Sequence, residues 1–514
     1  MSEARAARFE RMGQRLSDFV NPIAVKEMRQ AVAGKTITGV LVLFLIVQAG
    51  VVAVYTLTSG TGSQSFGDGP ELFMFLLGIL LATCLLFVPG TTAYRLASER
   101  SDQNVDLMFI TTLKPWRIIS GKFVSAMVMT LLIYSLCLPF LTLAYLLRGI
   151  DLPTIFTLLA VNLMVISWCV LLAIFVASIP MARFARSIVQ FGTFMAFVSA
   201  FSMTMQWSYG VISFGVLTHV TVLGWLGLVG FYAGTALLLF TLAVAAVSPA
   251  SSNRAVLPRA CFVVVWAGTG VLAFAAGYSE AILLWGWGSV LALGLASLAA
   301  IGERDVLNRR LAAKVPRRHL LRVPAFLLFS GAANGIAWTL LLMAATVGIV
   351  WSQVSSTAIL DPTEAMRLEV MATYLLSYSL VGFLLVRLTP LGKLINPAHT
   401  FAMALILMAL GTAWPVVAAV LTGNMMLDQL SPSWWITSVG VVFSDSLEEP
   451  LWLGRVAVVL LVGAQLPWLV RRIARFRPPR AEADAPATPA VEVPTTNGDD
   501  ALQPAVVTEE NTRG

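Results

Sequence analysis

The chain has 514 residues, of which 58% are hydrophobic and 12% are charged, roughly half the charged fraction of an average soluble protein. This composition excludes a water-soluble globular protein and indicates an all-α, polytopic bundle of transmembrane helices. The net charge of +7 comes without a basic patch interleaved with aromatic residues, so the sequence does not indicate nucleic-acid binding.

A helix of about 20 apolar residues crosses the ~30 Å hydrocarbon core of a bilayer. The chain has twelve stretches of this kind: 37–58, 72–94, 123–147, 153–178, 188–206, 224–247, 259–277, 280–301, 324–351, 370–389, 399–421 and 452–471. The stretches 259–277 and 280–301 are separated by two residues, which predicts a tight hairpin. No charged residue lies in the middle of a predicted span.

Basic residues are distributed very unevenly between the two sides of this bundle. With twelve spans and a cytoplasmic N-terminus, 31 of the 34 Lys and Arg fall on the cytoplasmic side, and only Arg148, Arg367 and Arg455 fall outside. This asymmetry is the positive-inside pattern. It predicts a protein of the plasma (inner) membrane with both termini in the cytoplasm.

Residues 1–36 form a cytoplasmic, amphipathic N-terminal segment. The Arg-rich stretch 3–17 is either a helix on the anionic membrane lipids or a disordered basic tail. Asn21 and Pro22 are suited to start a helix. The apolar residues of that helix share one face: Val25, Met28 and Val32.

The stretch 95–122 lies between two long apolar runs and is too polar to cross a bilayer. Four apolar residues in it recur at helical spacing: Val105, Met108, Phe109 and Leu113. Ser101 is suited to cap this helix, and Pro115 is suited to begin the next one. The pattern predicts a short surface helix followed by a break; an ordinary interfacial loop helix is the alternative.

Two segments carry a resemblance to a known family. NPIAVKEMRQ precedes the first span, and SERSDQNVDLMFITTLKPWRIISGKF follows the second. Over about residues 21–250, their order resembles the membrane subunits of type-2 ATP-binding-cassette (ABC-2) exporters. The matching positions are Glu99, Arg100, Leu107, Thr112, Pro115, Gly121 and Lys122. The chain departs from the family pattern at 104–106 and at 113–115.

The resemblance implies a permease that exports a substrate with the energy of ATP hydrolysed by a separate ATPase subunit. The positions it assigns to coupling with that ATPase are Glu99, Arg100, Val105, Met108, Phe109, Leu113 and Pro115. The chain contains no G-x-x-x-x-G-K-[ST] loop, so we expect it to be no enzyme, and ATP to bind the partner. A second permease copy is a further expected partner.

The chain therefore divides into a cytoplasmic segment (1–36), an ABC-2-like region of six spans (37–250), a second region of six spans (251–475) and a tail (476–514). The loop 302–323 begins with Glu303-Arg304 and is either the counterpart of 95–122 or an ordinary basic loop. The tail is rich in Pro, Ala and acids, so we expect it to be disordered.

Isolated polar residues within the spans are expected to bond between helices: Gln48, Asn162, Asn334 and Gln465. The four cysteines and three histidines are scattered, which supports neither a disulfide framework nor a metal or catalytic cluster. Two other functions stay open, a secondary transporter without an ATPase and a membrane scaffold or assembly subunit without a transport path.

Overall fold

The computed structural model of the chain describes residues 22–33, 35–59, 69–101, 114–147, 149–179, 183–215, 221–249, 252–303, 309–356, 360–388, 400, 403–408, 410 and 447–478. These residues are helical apart from short caps and turns, and no strand occurs among them. The predicted all-α class is therefore confirmed.

The described residues of the first half form eight α-helices. They are α1 Pro22–Ala33, α2 Lys35–Ser59, α3 Gly69–Ala82, α4 Val88–Ser101, α5 Pro115–Leu146, α6 Leu152–Ser178, α7 Arg183–Phe214 and α8 Val222–Val247. A π-helical segment, Thr83–Phe87, joins α3 to α4 without interrupting the helix.

The second half continues with shorter elements between long helices. They are α9 Val256–Ala276, α10 Ser279–Ile301, α11 Arg309–Ala312, α12 His319–Leu328, α13 Ala332–Ser356, α14 Pro362–Leu388 and α15 Glu448–Arg475. Residues 403–408 are also helical. Gly277, at φ 72°, ends α9 in the left-handed conformation that glycine adopts without strain, and α10 follows at once. The predicted hairpin is confirmed.

Within the described residues, ten helices are long and apolar enough to cross a membrane. They correspond to ten of the twelve predicted spans, so the protein is a membrane protein. The predicted span 188–206 lies in α7, which is helical but is not among the ten. The predicted span 399–421 lies mostly outside the described residues.

Helix α7 is rich in hydroxyl groups. Five of its side chains donate a hydrogen bond to the carbonyl four residues earlier: Thr193, Ser199, Ser202, Thr204 and Ser208. These bonds satisfy the hydroxyls inside the helix itself. The polar composition lowers the hydropathy of α7 without breaking the helix.

One predicted span begins too early. The sequence predicts a single helix over 324–351, but the helix is interrupted between Leu328 and Ala332. The short helix α12 therefore precedes the break, and the membrane-spanning helix α13 follows it. The cause is a polar contact at the break, described below.

Most buried apolar side chains lie in two clusters. The larger runs from Phe44 in α2 to Ala243 in α8, with α3 at its centre, and the second runs from α9 to α14. Helix α8 packs against α6 on one side and against α9 on the other. In a bilayer, such packing is driven by close van der Waals contact rather than by release of water.

Candidate functional site

A buried ion pair holds α1 against the start of α5. The Nζ atom of Lys122 donates a hydrogen bond to Oε1 of Glu27 at 2.7 Å. Lys122 is 2% exposed and Glu27 is 4% exposed, so both charges are removed from solvent. Lys122 lies seven residues after Pro115, about two turns into α5. The pair therefore connects a helix that precedes the first membrane span with the third span.

A second cation from another helix faces the same carboxylate. Nη1 of Arg95, on α4, lies 3.9 Å from Oε2 of Glu27. Beside these groups is a cavity of about 30 Å³, whose polar lining includes Thr91 and Ser125. A space of this size holds one or two water molecules. Glu27 is thus the common partner of charges from the second and third spans.

This arrangement fixes position more than it adds stability. A buried ion pair loses much of its attraction to desolvation, but removal of one partner leaves an uncompensated charge at a cost of about 3–5 kcal/mol. Positions of α1 that separate Glu27 from Lys122 are therefore strongly unfavourable in free energy. The ends of α1, α4 and α5 form one unit, which we call the Glu27 cluster (Glu27, Arg95 and Lys122).

The structure describes three of the seven residues predicted to couple to an ATPase. Pro115 is the first residue of α5 and follows Lys114 in an extended conformation, as predicted. Glu99 and Arg100 lie in the last turn of α4. The remaining four, Val105, Met108, Phe109 and Leu113, lie outside the described residues.

Two local features add to what the sequence predicted. Ser101 is the last residue of α4, which continues the second span without a break, and the helix that Ser101 was predicted to cap lies outside the described residues. Among the described side chains of α1, residues 24–29, Ala24 and Glu27 are buried, while Val25 and Met28 are half-buried. The reason is that α1 packs on α5, where an acid can meet Lys122, and its face is not simply its most apolar one.

A second buried ion pair lies at the break before α13. Arg259, on α9, donates to the carbonyls of Leu327 and Phe329 at 3.0 and 2.6 Å, and to Oε1 of Glu303 at 2.8 Å. Oε2 of Glu303 accepts the backbone N–H of Gly331 at 2.6 Å. These bonds satisfy backbone C=O and N–H groups near the interruption that lack a partner within a helix. This explains why the predicted span 324–351 can be interrupted there.

A third buried charge connects α14 and α15. Arg455 donates two hydrogen bonds to the carboxylate of Glu369, at 2.7 and 2.8 Å, and Trp351 Nε1 donates a third at 2.7 Å. Arg367 pairs with Glu364 on its own helix. Two of the three basic residues assigned to the outer side are therefore paired with acids, while Arg148 lies outside the described residues.

Three of the four membrane-depth amides donate between separate segments of the chain, as predicted. Gln48 Nε2 donates to the carbonyl of Leu76, Asn334 Nδ2 to that of Phe326 and Gln465 Nε2 to that of Leu380. The side-chain amide of Asn162 is buried without a protein partner. The four cysteines are free thiols.

The Glu27 cluster was missed in the sequence, although a signal for it exists. Glu27 is an acid inside a helix with basic residues on its exposed face, and Lys122 is a lone cation that leads into an apolar span. Two opposite charges at the edges of apolar segments are expected to form an ion pair, since burial of either charge without a partner is costly. The pairing itself depends on the tertiary packing of α1.

The chain matches no family model, no curated protein and no solved structure.

Proposed function

We propose that this chain is the membrane permease subunit of an ATP-binding-cassette exporter and that a separate ATPase subunit hydrolyses the ATP. The observation that carries the proposal is the Glu27–Lys122 pair, because it connects a helix outside the membrane core rigidly to a membrane span. A permease of this kind needs such a connection, since force applied outside the membrane must reach the spans.

The coupling segment in this proposal is 102–113, with the stripe of Val105, Met108, Phe109 and Leu113 facing the ATPase. Helix α4 is continuous up to Ser101, and α5 begins at Pro115. The segment is thus short and attached at both ends to stiff helices. A push on it is transmitted to the second and third spans rather than absorbed by a loose linker.

We further infer that α7 crosses the membrane as the fifth of twelve spans. A Cβ added to Gly78 would lie 3.4 Å from Met205 Cε. Gly78 is nine residues after the start of α3, and Met205 is nine residues before the end of α7, so the two helices are compatible with antiparallel packing at equal depth. Gln206 on α7 is exposed, and an exposed amide at that depth favours contact with a polar path or a second copy over contact with lipid.

The location follows from charge. With twelve spans, both termini lie in the cytoplasm, and the Glu27 cluster and the 102–113 segment lie at the cytoplasmic face of the inner membrane. The basic distribution supports this orientation, because the opposite one would place most arginines outside.

The test uses the full chain, purified with the ATPase that accompanies it and reconstituted in liposomes. Met108→Asp with Phe109→Asp is expected to abolish co-purification of the ATPase, because docking rests on the apolar stripe. Glu99→Ala is the matched control and is expected to retain it, since a surface ion pair contributes under about 1 kcal/mol. If the double variant keeps both the partner and stimulated ATP hydrolysis, 102–113 is not the coupling segment.

The same preparation separates the alternatives. A secondary transporter would move substrate without ATP and without any ATPase bound. A scaffold would bind partners but leave the liposomes closed to substrate. The permease assignment requires both the partner and ATP-dependent transport.

A further inference from the structure

A small basic cavity lies where the last turns of α15 meet the start of α13. It measures about 40 Å³ and is lined by Ser330, Gly331 and Asn334 on one side and by Arg472 and Arg475 on the other. The two arginines are three residues apart, so they project from the same face of α15. The volume is equal to about three water molecules, which is sufficient for a group of a few oxygen atoms.

Aromatic packing fixes the walls of this cavity. Phe476, directly after α15, packs edge-on against Phe326 of α12 at 5.5 Å and against Phe329 at 5.4 Å, measured between ring centroids. Asn334 donates to the carbonyl of Phe326 at 2.7 Å. The break before α13 and the end of α15 are therefore held together, and the two arginines are not on a free chain end.

The charged residues that line the cavity are both basic, Arg472 and Arg475. No carboxylate occurs in α12, in 332–340 or in 468–478. Glu303 reaches Gly331, but its charge is compensated by Arg259 at 2.8 Å. The cavity is suited to an anion.

Helix α12 has an exposed apolar surface on the side away from the cavity. Leu320 is 90% exposed, and Leu321, Val323 and Pro324 beside it on α12 are exposed as well. On the other side of the helix, Phe326 is buried against Phe476. An apolar outer face with arginines at its end is typical of a helix that lies in the plane of a membrane surface.

We propose that this cavity binds the phosphate headgroup of an anionic phospholipid at the end of the membrane-spanning helix α15. Arg472 and Arg475 contact the phosphate oxygens, for which guanidinium groups are well suited. Basic pockets between membrane helices bind such headgroups for the same reason. The position of both arginines in the last turns of a helix that can cross a membrane favours a lipid headgroup over a soluble phosphate. The proposal does not depend on the permease assignment.

The test is native mass spectrometry of the full chain in detergent, titrated with phosphatidylglycerol or with phosphatidylcholine of the same acyl chains. Arg472→Gln with Arg475→Gln is expected to weaken phosphatidylglycerol binding about 30-fold, the effect of two arginines near an anionic surface. Arg471→Gln with Arg477→Gln removes the same charge from exposed neighbours outside the cavity. This control is expected to bind like the wild type.

Four results would overturn the proposal: equal weakening by both arginine pairs, equal binding of the two lipids, displacement of phosphatidylglycerol by millimolar inorganic phosphate, or tighter lipid binding after Glu482→Gln with Asp484→Asn. The last would mean that the acidic segment after residue 478 occupies the cavity.

If the variant Arg472→Gln with Arg475→Gln does not fold, the variant Arg472→Lys with Arg475→Lys tests the proposal. Lysine keeps the charge but not the two-pronged geometry, so a smaller loss supports the proposal and unchanged affinity contradicts it.

Discussion

Glu27 and Lys122 are separated by 95 residues in the sequence, yet Lys122 Nζ lies 2.7 Å from Glu27 Oε1 and both side chains are buried. Glu27 belongs to the helix that precedes the first span and Lys122 to the third span, so the contact joins two segments that are far apart in the sequence. A contact of this kind is sensitive to the loss of either member, because the remaining buried charge would lose its nearest partner.

We expect Lys122→Ala to destabilise the protein by about 3–5 kcal/mol. The double variant Glu27→Gln with Lys122→Met should recover most of this loss, since it removes both charges. Lys26→Ala, at an exposed position of the same helix, should change stability by less than about 0.5 kcal/mol. Unfolding of the detergent-solubilised chain measures all three, and a double variant as unstable as Lys122→Ala would contradict the pairing.

Gly335 lies beneath Arg259, and a Cβ there would be 2.5 Å from Ala300 Cβ and 2.7 Å from Arg259 Nη2. Gly335→Ala should therefore displace the Arg259–Glu303 pair and destabilise the protein by about 1–3 kcal/mol. Gly348→Ala, in the same helix with no atom within 4 Å, should be neutral or stabilising. Thermal unfolding in detergent compares the two, and equal midpoints would show that the contact is not tight.

Arg455→Lys keeps the charge opposite Glu369 but cannot form the two parallel hydrogen bonds. We expect a loss of about 1–2 kcal/mol, because Glu369 is buried and one of its bonds would be unmade. Arg367→Lys is the control, as its partner Glu364 is partly exposed, and it should change stability by under about 0.5 kcal/mol. A similar effect of both substitutions on the unfolding midpoint would count against a special role for Arg455.

Asp151 caps α6 by accepting the backbone N–H of Thr154 at 3.2 Å, and hydrogen bonding to Thr154 lowers the pKa of this carboxyl below its ordinary value of 3.8. A lowered folded-state pKa means that the charged cap stabilises the fold above the unfolded pKa and that this contribution is lost as the pH falls through the folded pKa. Asp151→Ala should cost about 1 kcal/mol at neutral pH. Asp151→Asn should cost less, and its difference from the wild type should shrink as the pH falls below about 4. A difference that grows on acidification would contradict this sign.

Topology is tested with reporter fusions after residues 60, 302 and 480. With twelve spans they should report outside, inside and inside, respectively. The fusion after 302 decides whether α7 crosses the membrane, and the fusion after 480 then decides whether the stretch 399–421 crosses it, because each missing span reverses every later reading.

The sequence was sufficient to predict the helical class and ten of the long helices, because about 20 continuous apolar residues have few alternatives in a bilayer. It also predicted that α5 begins at Pro115, since the ring of proline restricts the preceding residue. The buried charges were not predictable in the same way. Arg259 and Glu303 each resemble ordinary residues at the edge of a span, and only the packing of three helix ends shows that they share the break before α13.

The buried acid in α1 was not predictable for a related reason. A pattern of apolar residues identifies the side of a helix that avoids water, but it does not distinguish contact with lipid from contact with protein. Against protein, an acid is tolerated if a base is opposite, and Glu27 has one. Charged residues near the ends of spans are therefore better interpreted in pairs than one at a time.

The π-helical segment Thr83–Phe87 amounts to one additional residue inserted into the second span. One residue corresponds to a rotation of about 100° around the helix axis. The side chains of α4 are therefore rotated by about this angle relative to the positions that an uninterrupted α-helix from α3 would give them. Upstream of the segment, Leu80 and Leu81 are buried, and downstream Arg95 faces Glu27. Deletion of Leu86 would allow the second span to form a regular α-helix throughout. Leu80 would stay in place, and Arg95 would be turned away from Glu27. A phase shift within one helix thus sets the angle at which one end of the span meets α1.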